Sequence, residues 1–228
     1  ARCLAEELRP PELAAVLWAC AAGAWRAEAA PLLAASQAAA PARIWSFRPN
    51  ELAGIAWAAS RLGAEALPLA ALAALHAQRL GWPTFTSREL VSTLWALAPA
   101  VQSAPRGGVV PFDFDAAAGA CVALAEAGAL TPQQSCAGLV ALSRLAPPRS
   151  VGVPGAVAPL LARVSAEAEQ LQASSMVEAL SAFAALGVLD EGLLEAARSV
   201  LLVARSGPAD SQAARAAGAA AVPRGLAA

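Results

Sequence analysis

One short pattern occurs several times along the chain and limits the folds open to it. The segment RPPELAAVLWACAAG begins at Arg9, FRPNELAGIAWAASRLG begins at Phe47, and FTSRELVSTLWALAPAV begins at Phe85. In each copy a Glu is followed directly by a Leu, and a Trp lies five residues after that Leu. A unit that recurs at a fixed period of roughly 20 to 50 residues is the signature of repeat architectures.

Two weaker copies follow in the second half of the chain. They read LTPQQSCAGLVALSRLA from Leu130 and LQASSMVEALSAFAALG from Leu171. Aligning all five copies puts one residue of each in a common column, called the Trp column here: Trp18, Trp57, Trp95, Val140 and Ser181. Successive members lie 39, 38, 45 and 41 residues apart. A period of about 38 residues with loop insertions fits these intervals.

Apolar side chains in each copy are spaced as on one face of a helix. Leu90, Leu94 and Leu97 stand at positions i, i+4 and i+7, which share one side of a helix. Between successive copies we place second, Ala- and Leu-rich helices at Ala27–Ala39, Ala66–Leu80, Phe114–Ala127, Gly155–Gln170 and Asp190–Arg205. Because such pairs bury their apolar faces by stacking on neighbours, the sequence predicts an all-α fold. The specific expectation is an α-solenoid of about five helix-pair repeats of ~38 residues.

Residues typical of helix ends occur where this interpretation needs them. Thr86 with Glu89, and Thr131 with Gln134, have the spacing of a capping box, in which the hydroxyl and the third side chain each satisfy a backbone N–H. Pro stands at the expected first helical position in three copies, as Pro10, Pro49 and Pro132, where its missing N–H is harmless. Three glycines suit the turn after a helix: Gly63, Gly128 and Gly187.

Two regions depart from the repeat. The segment 98–113, APAVQSAPRGGVVPFD, is expected to be a linker insertion that accounts for the 45-residue interval. The segment 206–228 is a low-complexity C-terminal tail that is expected to lack a packed core of its own. The remaining 1–205 is assigned to one helical-repeat domain.

Composition limits the partners of the chain. The formal net charge is −1, so any contact with a nucleic acid must come from a local arrangement of arginines. Charged residues interrupt every run that approaches the roughly 20 apolar residues of a spanning helix, and no membrane contact is expected. Cys3, Cys20, Cys121 and Cys136 are far apart, with His76 as the single imidazole. We therefore predict no metal site and no cofactor, and expect the cysteines to be small apolar core residues.

The five copies resemble the octotricopeptide repeat family, whose unit carries the core Pro-Gln-x-Leu-Ala-x-x-Leu-Trp-Ala-Leu-Ala-x-Leu-Gly. The matching residues are Pro132-Gln133, Pro49 with Glu51-Leu52-Ala53, Leu94-Trp95-Ala96-Leu97-Ala98, Leu62-Gly63 and Leu186-Gly187. The resemblance extends from Arg9 to about Arg205. It implies an organellar protein that binds RNA along a superhelical surface, acts in transcript maturation, stability or translation, or forms part of an organellar ribosome.

Candidate RNA contacts lie at the two ends of the repeated helices. The column seven residues before the Trp column varies in chemistry. Such variation is expected where each repeat recognises a different RNA base, but an exposed column without any function would vary too. This column contains Pro11, Asn50, Arg88, Gln133 and Ser174. Arginines near the helix ends could align into a stripe for phosphates: Arg9, Arg48, Arg61, Arg88 and Arg144. Arg61 and Arg144 also lie in last turns, where a cation stabilises the helix dipole without any ligand.

The Trp column has two interpretations. Trp18, Trp57 and Trp95 could stack on bases. Their fixed place beside core Leu residues makes packing between helices the better interpretation. The candidate RNA-binding residues are therefore Arg9, Arg48, Asn50, Arg61, Arg88, Gln133, Arg144 and Ser174.

Signs of an enzyme are weak. The chain contains neither a P-loop nor a G-x-S-x-G nucleophile elbow. His76 is expected to be a partly exposed helix residue, and Glu12, Glu51 and Glu89 each favour the N-terminus of their own helix. No catalytic residue and no small-molecule substrate are predicted.

The leading hypothesis is a non-enzymatic RNA-binding protein, an accessory mitochondrial ribosome subunit that contacts rRNA and neighbouring ribosomal proteins. The near-neutral charge favours the ribosome, because a protein embedded among others needs only a partial RNA face. The alternatives are a protein-binding solenoid scaffold and a chloroplast factor for transcript stability or translation.

Overall fold

The structure is a computed structural model that describes residues 7–103, 112–146, 153–188 and 190–202. In these residues the chain forms α-helices and short 3₁₀ turns and no strand. The all-α prediction is therefore confirmed. Three of the regions discussed above lie outside the described residues: Cys3, most of the expected linker and the C-terminal tail.

The helices fall into two alternating sets. The A helices carry the repeated pattern: α1 Pro10–Ala22, α3 Pro49–Leu62, α5 Ser87–Ser103, α7 Pro132–Leu145 and α10 Ala173–Ala185. The B helices lie between them: α2 Arg26–Arg43, α4 Leu67–Leu80, α6 Phe114–Glu126, α8 Val153–Ala156, α9 Ala158–Ala166, and α11 from 191 to 202. The 3₁₀ turns are Ile44–Ser46, Ala64–Ala66, Trp82–Thr84 and Ala168–Gln170.

The starts of the A helices confirm the capping boxes. The N–H of Thr86 donates to Glu89 at 2.8 Å, and the N–H of Thr131 donates to Gln134 at 2.9 Å. The same bond forms where the capping residue is an arginine: the backbone N–H of Arg48 donates to Glu51 at 2.8 Å, and that of Arg9 donates to Glu12 at 2.8 Å. The recurrent Glu therefore stabilises the first turn of its own helix.

Each A helix packs against the next A helix, and this contact forms the core. The pairs are α1 with α3, α3 with α5, α5 with α7, and α7 with α10. The residue just before the Trp column lies in these contacts; Leu17 is 1% exposed, and Ala56, Leu94 and Leu139 are fully buried. Among the B helices α2 packs on α4 and α6 packs on α9. The molecule is thus a helical, repeat-like arrangement in which successive copies make equivalent contacts.

Several helix boundaries differ from those expected. Helix α5 continues through Pro99 to Ser103, so the linker does not begin at Ala98. The buried Ala98 and Ala100 hold these turns against the core, and this burial outweighs the backbone bond that Pro99 cannot make. Helix α2 continues through Pro41 to Arg43 in the same way.

The helix expected at Gly155–Gln170 is interrupted. It divides into α8, α9 and a 3₁₀ turn. Pro159 lacks the N–H that would bond to the carbonyl of Gly155, and Val157 leaves helical geometry at φ −110°. Val157 is nevertheless fully buried, so the break brings an apolar side chain into the core. The last B helix covers 191–202 in the described residues rather than starting at Asp190.

Helix ends agree better with expectation. Gly63, Gly128 and Gly187 have φ of 111°, 69° and 69°, the left-handed region that favours glycine. After helix α1 an alanine has this left-handed backbone instead: the φ of Ala24 is 56°. Its neighbour Gly23 instead makes room for an indole, since a Cβ on Gly23 would lie 2.8 Å from Cε2 of Trp25.

These two adjacent residues give opposite predictions. Ala24→Gly should raise the free energy of unfolding by about 1 kcal/mol, because it removes the clash of a Cβ in left-handed backbone. Gly23→Ala should lower the free energy of unfolding, because its methyl group displaces the Trp25 ring. Urea unfolding followed by circular dichroism checks both variants, and a less stable Ala24→Gly would contradict the assigned turn.

Candidate nucleic-acid interface

One side of every A helix is turned away from the core. It consists of the Trp column together with the positions seven and three residues before it and four residues after it, which share one helix side because of their spacing. This surface is called the A face. Of these positions in the five copies, Val140 is the one that is buried. Because consecutive A helices pack together, their A faces adjoin.

The variable column seven before the Trp column is exposed on all five A helices. The structure therefore brings the predicted Asn50, Arg88, Gln133 and Ser174 to one surface. The Nε2 of Gln133 donates to the carbonyl of Gln170 at 3.1 Å, so this amide bonds to the turn before α10. Exposed side chains are expected both if this column recognises RNA bases and if it is merely unconstrained. Recognition of RNA by this column therefore stays a prediction.

The arginines divide into two groups. Arg61, Arg88 and Arg144 are exposed on the A face. Arg9 and Arg48 are exposed capping residues at helix starts. Arg9 is paired with Glu12 through Nη2 and Oε1 at 2.6 Å, which raises the pKa of Arg9 and lowers the pKa of Glu12. Of the five arginines expected to form one stripe, Arg61, Arg88 and Arg144 therefore share the A face, and Arg9 and Arg48 do not.

Two of these arginines lie over indole rings. The guanidinium carbon of Arg61 is 5.9 Å from the ring centroid of Trp57 on the same helix, and that of Arg144 on α7 is 4.7 Å from the ring of Trp95 on α5. Both distances are those of cation–π contacts. Besides stabilising its helix end, Arg144 thus connects two neighbouring A helices.

The Trp column lies at the rim of the core. Trp57 and Trp95 are half-buried and pack against the core, as the packing interpretation expects. Trp18 differs, because 52% of it is exposed. Its ring stacks on Trp57 with centroids 5.9 Å apart and an interplanar angle of 29°. Packing between helices is therefore confirmed for this pair, but the indoles also remain accessible to a ligand.

An open cleft of about 300 Å³ crosses three A helices on this face. Its lining residues are Trp18 from α1, Ala53, Gly54 and Trp57 from α3, and Arg88 and Ser92 from α5. Sequence reasoning missed the cleft. The available signal was Gly54, a glycine in the middle of a helix in a column where other copies have larger residues.

The A face has a local charge that the whole chain lacks. On α1, α3, α5 and α7 its positions contain Arg61, Arg88 and Arg144 and no carboxylate. Glu178 on α10 is the acidic residue of this face in the fifth copy. A chain of net charge −1 therefore presents a basic surface with aromatic rings.

Comparison of the chain with protein-family models, curated proteins and solved structures gives no match. No helix in the described segments is both long and apolar enough to cross a membrane. Among the described residues no three His, Cys, Asp or Glu side chains are grouped to hold a metal ion. Cys121 and Cys136 are buried, and burial raises the pKa of their thiols to about 12 and about 11. They behave as the apolar core residues expected.

His76 differs from its expected partial exposure. It is 5% exposed, and its Nε2 lies 3.2 Å from the carbonyl of Phe47. Since a carbonyl only accepts, Nε2 carries the proton and donates. Nδ1 is buried without a hydrogen-bond partner. Burial lowers the pKa of His76, and the nearby Arg79 lowers it further, although the bond to Phe47 opposes this.

The lowered pKa predicts a loss of stability in mild acid. As the pH falls below about 6.5, the unfolded chain takes up a proton before folded His76 does, so the free energy of unfolding decreases until the folded group is also protonated. Because the chain has one His, His76→Gln should reduce this decrease. Urea midpoints at about pH 7.5 and pH 5.5 measure it, and an unchanged difference in the variant would refute the assignment.

Proposed function

We propose that the chain is a non-enzymatic RNA-binding protein whose A face contacts RNA, most specifically as an accessory mitochondrial ribosome subunit that holds rRNA. The observation that carries the proposal is the A face, where three exposed arginines accompany indole rings and no carboxylate intervenes from α1 to α7. Arginine binds phosphate and aromatic rings stack on bases. An RNA strand offers both groups at once.

We further propose that the helices form an α-solenoid of octotricopeptide-repeat type. Equivalent contacts between successive A helices support this proposal, because a solenoid repeats one contact between neighbours. The capping bonds support it too, since they recur at the same place in α1, α3, α5 and α7. Such a stack lines up the A faces of its units along one surface.

The ribosomal setting is favoured by the charge. The net charge of −1 gives little non-specific attraction to RNA, whereas a local basic face suits a protein that is also held by neighbouring ribosomal proteins. The mitochondrion is the proposed location and the chloroplast is the alternative. Purifying the native complex and identifying the RNA in it tests this setting; a complex without rRNA would exclude it.

Reversing the three A-face charges tests RNA binding directly. Arg61→Glu, Arg88→Glu and Arg144→Glu combined should weaken binding to organellar RNA by roughly tenfold or more at low salt, because phosphate contacts are lost. The slope of log affinity against log salt should fall by about 2 for a single strand, at ~0.7 for each contact. Electrophoretic mobility shifts over about 50 to 200 mM salt measure both quantities.

The chain offers a matched control on its B helices. Arg26, Arg79 and Arg198 are exposed, and Arg79 lies 4.4 Å from the ring centroid of Trp45. Changing these three to Glu alters the net charge by the same amount and also removes a cation–π contact. Equal losses in the two triple variants would show that only overall charge matters. No binding by the wild-type chain at low salt would exclude both RNA-binding functions.

A protein-binding scaffold is the second candidate, and exposed apolar residues on α10 and α11 favour it. Four large apolar residues on α10 and α11 are at least one-third exposed: Val177, Leu194, Leu201 and Leu202. Exposed apolar side chains favour a protein contact where they adjoin one another. In this case the A-face variant would keep its protein partner and the wild-type chain would bind no RNA.

A further inference from the structure

We propose that the cleft between α1, α3 and α5 binds one unpaired nucleobase of an RNA strand. The base lies against the indoles of Trp18 and Trp57, and the adjoining phosphate bonds to Arg88. This inference rests on the proposed RNA-binding function and adds that the RNA is single-stranded at this point.

The chemistry of the cleft matches an unpaired nucleotide. Its walls combine two aromatic rings with a guanidinium and the hydroxyl of Ser92. Proteins that bind single strands use this combination, in which a cation contacts the backbone while aromatic side chains stack on bases. In a duplex the flat faces of the bases are stacked on one another and cannot reach the indoles.

The size of the cleft limits the ligand. Its volume is about 300 Å³, at the lower end of the range of roughly 300 to 1,000 Å³ for ligand pockets. One base with its sugar fits this space better than a folded RNA element. Because three helices contribute walls, the nucleotide would cross from the first repeat to the third.

Gly54 supplies a second, independent observation. It lies inside α3, where glycine costs about 1 kcal/mol relative to alanine. Packing does not require it, because the nearest atom to an added Cβ is the Cβ of Ala14 at 3.9 Å, an ordinary contact. Gly54 lines the cleft, so the missing side chain keeps the space between the helices open.

The other indoles of the described chain do not line the cleft, and Trp82 is buried. Arg144 lies 4.7 Å from the ring of Trp95, closer than the 5.9 Å between Arg61 and the ring of Trp57. Trp45 is 41% exposed, but Arg79 and His76 contact its ring. Trp25 is exposed but lies against Gly23, away from the cleft-lining residues. Trp18 therefore combines high exposure with a neighbouring cleft and a cation.

Removing the exposed indole tests the base site. The probes are an unstructured single-stranded RNA of about 12 nucleotides and the same strand annealed to its complement. Trp18→Ala should weaken binding of the single strand by about 5- to 100-fold and leave duplex binding unchanged. The salt slope should not change, since no charge is removed. Trp18→Phe should restore most of the affinity, and Trp25→Ala is the control for loss of an exposed indole.

Filling the cleft gives a test that does not depend on losing a contact. Gly54→Gln should weaken single-strand binding, because the longer side chain occupies the space of the base. Gly54→Ala is its matched control, since it adds a tolerated methyl group and should keep most of the affinity. Fluorescence anisotropy measures the dissociation constants, and circular dichroism verifies that each variant is folded.

The outcomes separate the two proposals. If the wild-type chain binds neither RNA at low salt, the RNA-binding function fails and the base site fails with it. If the wild-type chain binds RNA, but Trp18→Ala and Gly54→Gln bind the single strand as tightly as the wild-type chain does, only the base site is wrong. Equal losses of single-strand and duplex affinity in Trp18→Ala would also overturn it.

Discussion

The contact between successive A helices is the interaction on which the rest of the structure depends. Its centre is the position before the Trp column, where Leu17, Leu94 and Leu139 are almost completely buried and Ala56 takes the same place in the second copy. Burying a Leu side chain contributes about 1.5 to 3 kcal/mol, and the contact recurs between each pair of A helices. This repeated burial sets the spacing and orientation of every A face.

The same contact explains why the Trp residues lie at the rim. On a helix the next residue is turned by about 100°, so a Trp that follows a buried Leu or Ala faces the edge of the contact. Trp57 and Trp95 still pack on the core, while Trp18 is largely exposed. Arg61 contacts the ring of Trp57, and Arg144 contacts the ring of Trp95. Aromatic and basic groups thus gather on one surface of a chain whose net charge is close to zero.

Local signals identified the helices well and their limits less well. The capping bonds of Thr86 and Thr131 follow from residues three positions apart, so the sequence contains all that they need. Pro99 and Pro159 have the same chemistry but opposite outcomes: α5 continues through one, and the chain leaves helical geometry just before the other. The difference lies in what neighbouring residues bury. The burial of His76 likewise depends on a residue far from it in the sequence, because its partner is the carbonyl of Phe47, just before α3.

The sequence by itself determined the repeat, the all-α class, the helix caps and the set of residues that share each column, because these depend on spacing along one chain segment. Only the tertiary structure decided that Trp18 stacks on Trp57, that Arg144 reaches Trp95, and that Arg88 shares a cleft with two indoles. These contacts join different A helices. Their geometry depends on how closely and at what angle the helices pack, and the side chains of the facing helix set both quantities.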